Sequence, residues 1–190
     1  MTGKTVLRLA FVAVLVLQIG LLLAIIVPKE RTLATGEKIV LQTVPVDPRD
    51  LFRGDYVNLR YTISTLEGYL GFAAGDRVYV GLAQQGDIWD AVSASHSRSD
   101  GLYIKGRVTR AWRTGLDVEY GIESYFVPEG TGHIIERARD VKVRVAVDSL
   151  GNAVIKALLV DGQPFRPDMA AETEVPSGPP TPAATTPATN

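Results

Sequence analysis

Residues 47–61, DPRDLFRGDYVNLRY, bring three Asp, three Arg and two Tyr into one short stretch around a single Pro and a single Gly. Carboxylates this close can act as an acid–base pair or gather a hard cation through oxygen ligands. Arg and Tyr are the side chains favoured at the centres of protein interfaces. The spacing lacks the alternating ligand pattern of a calcium loop, and three Arg oppose a dication, so neither a metal nor another cofactor is expected. A turn accounts for part of the stretch. Asp47 precedes Pro48, Asp50 is placed to cap a helical turn, and Gly54 permits a positive φ just before a strand. Asp55 can accept backbone N–H bonds, and Arg49, Arg53 and Arg60 can pair with the Asp residues. A turn explains the Pro and Gly better than it explains the density of charge and Tyr. The expected binding surface is therefore Asp47, Arg49, Asp50, Arg53, Gly54, Asp55, Tyr56, Leu59, Arg60 and Tyr61. The competing reading is an ion-paired turn that fixes strand register.

Other chemistry finds little support. The chain has no Cys, which removes disulfides, thiolate zinc sites and thiol nucleophiles together. His96 and His133 stand far apart without metal-binding spacing, and Ser93, Ser95, Ser97 and Ser99 lie in a turn-rich loop without a nucleophile elbow. Trp89, Trp112, Tyr103, Tyr120, Tyr125 and Phe126 are expected to pack on strands. Twenty basic against 21 acidic side chains, a net charge of −1, give no electrostatic reason to expect nucleic acid.

The elements that must position these residues begin with LAFVAVLVLQIGLLLAIIV, residues 9–27, which carry no charge. As a helix they reach about 28 Å, close to the roughly 30 Å hydrocarbon core of a bilayer. A buried core helix would show a polar stripe, and a cleaved signal would have a shorter apolar run ending in a small-x-small site. The expectation is an uncleaved anchor that contacts lipid through residues 9–27. Lys4 and Arg8 before the span keep residues 1–8 cytoplasmic by the positive-inside rule, which places the rest outside an inner membrane. Residues 28–38 read as a polar linker. Asp47 follows Val27 by only 20 residues, so the charged stretch is expected near the bilayer.

Beyond the linker the pattern is of strands. Residues 39–46 alternate and end at Pro45 and Pro48, and Val57, Leu59 and Tyr61 share one face. Residues 64–74 are helix or loop. Residues 78–82 and 88–92 flank a Gln85-Gly86-Asp87 turn, and residues 102–108 alternate with Leu102 and Ile104 inward. Strands follow at residues 116–120 and 124–127, a helical turn or two at 131–139, and a hairpin of VKVRVAV and NAVIKALLV around DSLG. Seven to nine short antiparallel strands point to a mainly β, barrel-like extracytoplasmic domain over residues 39–166. The Pro/Thr/Ala-rich residues 167–190 are too poor in large apolar side chains to fold alone.

Gly54-Asp55-Tyr56-Val57-Asn58-Leu59-Arg60-Tyr61 reads G-D-Y-x-x-L-x-Y, and here the chain resembles the GDYXXLXY family of membrane-anchored bacterial proteins. PVDPRDLFRGD, GIESYFVPEG at residues 121–130 and GNAVIKALLVDG at residues 151–162 share the resemblance, which covers about residues 39–162. It implies an envelope location and no established activity. YIKGR at residues 103–107 is also similar to the lysine strand of type I signal peptidases, and YFVPEG at residues 125–130 to a later segment of theirs. Those enzymes place a nucleophilic Ser eight residues before a Gly-Asp. The corresponding position here, Val46, has no hydroxyl, and the nearest one, Thr43, is out of place. The resulting expectation is a non-enzymatic module that binds another membrane or envelope protein. The alternative is a hydrolase using Lys105, or Asp55 with Asp50.

Overall fold

Apolar residues on every side of a helix leave no face for water, and the structure gives the apolar stretch of that helix no protein cover. The computed structural model describes residues 3–44, 56–98, 100–128, 135 and 138–166. Helix α1, Gly3–Thr35, is continuous through Pro28. Its apolar residues, from Leu7 to Val27, stand exposed, and none of the most hydrophobic stretch is buried. It is long and apolar enough to cross a membrane. The polar residues expected to form a linker instead continue the helix as far as Thr35. Pro28 removes one backbone donor but sits where the helix leaves its apolar stretch, and Thr32 Oγ1 lies 3.0 Å from the Pro28 carbonyl.

The remainder is mainly β. Strands β1 (Glu37–Val44), β2 (Tyr56–Asn58), β3 (Arg60–Tyr61), β4 (Thr65–Glu67), β5 (Arg77–Gln85), β6 (Ile88–Ser95), β7 (Tyr103–Trp112), β8 (Gly115–Glu119), β9 (Ser124–Phe126), β10 (Val141–Val147), β11 (Ala153–Val160) and β12 (Gln163–Pro164) follow in order. One sheet runs β12-β11-β10-β1-β3, a second runs β4-β8-β7-β5-β6, and β2 pairs with β9. All the pairings among the described residues are antiparallel. The sheets wrap one core that includes Ile39, Leu41, Val80, Ile104, Val143 and Leu158, and β1 also packs against β6, giving a nearly closed barrel-like sheet. Irregularities at Gly81/Leu82, Val108/Arg110 and Arg144/Val145 bend the longer strands toward closure.

Alternation reveals neither β4 nor β12, whereas β9 falls within the strand expected at residues 124–127 and the alternating residues 56–61 divide into β2 and β3. Residues 64–74 hold no α-helix: a 3-10 turn at Thr62–Ser64 leads into β4 and then irregular chain. Of residues 131–139 only Ile135, buried in the core, and Ala138 and Arg139 are described. Residues 45–46 and 167–190 lie outside the described residues. Tyr103 faces away from the core and is nevertheless 8% exposed, because the turn after β10 covers it.

Gly106 shows how tightly the second sheet is packed. A Cβ there would meet Val118 Cγ1, with the Glu119 carbonyl 3.0 Å away. Gly106→Ala is expected to destabilise the domain by about 1–3 kcal/mol through overpacking. Gly20→Ala, with nothing within 4 Å, should leave its melting temperature unchanged. Thermal melts of the two variants check this.

Candidate functional site

Residues 56–67 take part in all three sheets in succession. β2 pairs with β9, β3 with the end of β1, and β4 with β8. Between β2 and β3 the chain changes partner at Leu59, whose N–H donates to the Glu123 carbonyl at 2.6 Å. The alternation Val57, Leu59, Tyr61 places all three in the core. Tyr61 is 1% exposed, so its hydroxyl needs a partner inside the protein. It donates to the Ile122 carbonyl at 2.5 Å. Tyr120 returns the contact, donating to the Ile63 carbonyl at 2.6 Å. Two phenols thus tie residues 61–63 to residues 120–122 from both sides. Glu123 braces the second segment by accepting from the N–H groups of Tyr120 (2.6 Å) and Gly121 (2.8 Å), where Gly121 has φ +79. Burial, and then the nearby Glu123 charge, push both phenols well above their ordinary value.

Arg60 faces the other way. Its guanidinium donates to Thr65 Oγ1 at 2.7 Å and to Asp117 Oδ1 at 3.0 Å, and Thr65 Oγ1 donates to the same carboxylate at 2.8 Å. With half of the Arg60 side chain exposed, the pair contributes at most about 1 kcal/mol. The expected surface therefore divides. Leu59 and Tyr61 are core side chains, Arg60 is at the surface, and Tyr56 is the first residue of β2, paired with Phe126. Asp47, Arg49, Asp50, Arg53, Gly54 and Asp55 lie outside the described residues. The ends of that segment are nonetheless fixed, Val44 by pairing with Arg60 and Tyr56 by pairing with Phe126. Val44 is also at the far end of β1 from the helix, roughly 23 Å along the strand from Glu37.

A second polar cluster, missed by motif reading, joins the helix to the barrel. Asp148, at the end of β10, accepts from the N–H groups of Leu150 and Asn152, from Asn152 Nδ2 and from Thr32 Oγ1, each at 2.9 Å. Thr32 is 2% exposed, which makes the last turns of α1 part of the domain surface. Partial burial works against the Asp148 charge, but the donors of Asn152, Thr32 and Leu150 outweigh it and hold the carboxyl below its ordinary value. Lys105 completes the cluster, with Nζ donating to Asn152 Oδ1 at 2.5 Å and its N–H to the Gly151 carbonyl at 2.8 Å. Thr43 Oγ1 is engaged elsewhere, donating to the Val141 carbonyl at 2.6 Å. The geometry thus gives Lys105 an amide partner and a role in holding the β10–β11 turn. The signal that could have found this was the DSLGN sequence, an Asp four residues before an Asn across a Gly.

His96 is exposed, stacked on Phe72 with ring centroids 4.2 Å apart, and His133 lies outside the described residues. Trp89 and Tyr125 pack against the core, while Trp112 and Phe126 lie on strands but face outward.

The model of the family described as GDYXXLXY protein matches residues 18–158, most of the chain. The chain belongs to the GDYXXLXY family. No curated protein and no solved structure matches it. Two of the segments that carry the GDYXXLXY resemblance meet in space, residues 56–61 and residues 121–127, through the β2–β9 pairing and the two phenols.

Removing either hydroxyl leaves a buried carbonyl without its donor. Tyr61→Phe and Tyr120→Phe are each expected to cost about 1–3 kcal/mol in denaturant unfolding. Because the folded state holds both phenols above the free value of about 10, their contribution is complete below that pH and is lost as pH rises past it. Wild type should therefore unfold at alkaline pH, and each Phe variant should show a shallower alkaline limb. Asp148 has the opposite sign: its contribution is present above about pH 4 and lost as pH falls below it. Asp148→Asn is expected to lower the melting temperature at pH 7 and to flatten the acid limb of the same titration.

Proposed function

We propose that this GDYXXLXY protein is a single-pass anchor in the bacterial inner membrane, carrying on its outer side a non-enzymatic β-domain that binds another membrane or envelope protein. The observation that carries this reading is the frame around residues 45–55. Val44 and Tyr56 are each held in a sheet, so the segment bearing Asp47, Arg49, Asp50, Arg53 and Asp55 starts and ends on one rigid joint. Leu59 and Tyr61 fix that joint from inside and Arg60 adds a cation on its outer side. Holding both ends of a charged segment lowers the entropy lost when a partner orders it. The anchoring part rests on α1, whose apolar surface is exposed throughout, and the orientation on Lys4 and Arg8 ahead of the span.

A second reading gives the signature an architectural role alone, and the reciprocal bonds from Tyr61 to the Ile122 carbonyl and from Tyr120 to the Ile63 carbonyl favour it for residues 56–61. Cross-linking in native membranes separates the two. With a variant confirmed to melt like wild type, Arg49→Ala is expected to lose a specific cross-linked partner that wild type retains. An unchanged set of partners would leave the segment with structure as its only role.

A further inference from the structure

At the point where α1 leaves its apolar stretch, a cavity of about 880 Å³ opens between the helix and the barrel. That volume lies in the roughly 300–1,000 Å³ range of small-molecule sites. Its walls are of two kinds. Val27 and Pro28 on the helix and Leu102 and Leu150 on the barrel are its apolar lining, and Leu150 stands 48% exposed on the turn after β10. Arg31 and Glu37 supply one cation and one anion to the same cavity. Both are exposed, and among the described residues neither is in an ion pair. The remaining acid in the lining, Asp148, is covered by its four donors and is directed to Thr32 and Asn152. The Thr32–Asp148 bond ties the helix to the turn on the far side of the cavity.

We propose that this cavity binds the headgroup of an aminophospholipid from the surrounding bilayer, with its phosphate on Arg31 and its primary ammonium near Glu37. The assignment rests on the reading of α1 as a membrane span. On that reading Val27, the last residue of the apolar run, is at the edge of the hydrocarbon, and Arg31 is one helical turn farther, at headgroup depth. The apolar wall then continues the hydrocarbon surface, as the start of the acyl chains requires. Arg31 and Glu37 present opposite charges to a zwitterion, and Asp148 in the same lining adds a second carboxylate that opposes an anionic lipid. Guanidinium is the side chain suited to a phosphate oxygen pair, and a carboxylate accepts N–H bonds that a quaternary ammonium cannot donate.

The test uses the full chain in nanodiscs of phosphatidylcholine containing a minor fraction of phosphatidylethanolamine or of phosphatidylglycerol. Lipids retained after mild detergent extraction are counted by native mass spectrometry. Phosphatidylethanolamine is expected to be enriched about tenfold over its bilayer fraction, the effect of roughly one charge-assisted hydrogen bond. Arg31→Gln and Glu37→Gln should each abolish the enrichment, and Lys29→Gln, outside the lining, should not. Equal retention of all three lipids would overturn the proposal, as would enrichment of phosphatidylglycerol or enrichment that survives Arg31→Gln. A chain that enters the nanodiscs without enriching the lipid overturns this inference alone. A chain that fails to enter them overturns the membrane anchor as well.

Discussion

A buried phenol is stable only if its hydroxyl finds an acceptor, and the closure of this barrel depends on two that satisfy one another's neighbourhoods. Tyr61 reaches the carbonyl of Ile122 and Tyr120 reaches the carbonyl of Ile63. Each bond fixes the segment that carries the other Tyr. Neither segment has long strand pairing of its own, since β2, β3 and β9 have two or three residues each. In such short strands the backbone bonds alone hold little, and the side-chain bonds set the register. With that joint in place, the chain can leave β9, cross to β1 and enter β8's sheet within residues 56–67.

The same joint decides what the signature can present. Its apolar members are directed inward and Arg60 outward, where it is tied to β8 through Asp117. On either side of the charged residues just before it, Val44 and Tyr56 are fixed in strands. At the opposite end of β1 the constraint is of another kind. Asp148 gathers donors from its own turn and from the helix, and so ties the last turns of α1 to the barrel. Gly36 allows the close approach there, because a Cβ would meet the Thr32 carbonyl at 2.5 Å. A displacement of the helix would therefore be felt in the β10–β11 turn and, through Lys105 and Tyr103, in β7.

Much of this was legible locally. Alternation at Val57, Leu59 and Tyr61 identified the inward face, and the β10–β11 hairpin was plain from its Val repeat and DSLG turn. The absence of a polar stripe in residues 9–27 separated the helix from the domain core. What alternation could not reveal were contacts between residues distant in sequence. Nothing near Tyr61 indicates that its partner is residue 122, and nothing near Tyr103 shows that a turn 46 residues later covers it. Pro28 and the charges after it argued for a linker, whereas the helix runs on to Thr35 with Thr32 buried against Asp148. As for the signature, residue types put Leu59 and Tyr61 on the expected binding surface, whereas their burial places both in the core, as the alternation required.

Native-state hydrogen exchange on Tyr61→Phe tests the joint most directly. If the two phenols close the barrel, the amides of residues 56–61 and 120–126 lose protection together, while those of β5 and β6 keep theirs. Loss confined to the immediate neighbours of residue 61, or spread evenly over the whole domain, would contradict the account.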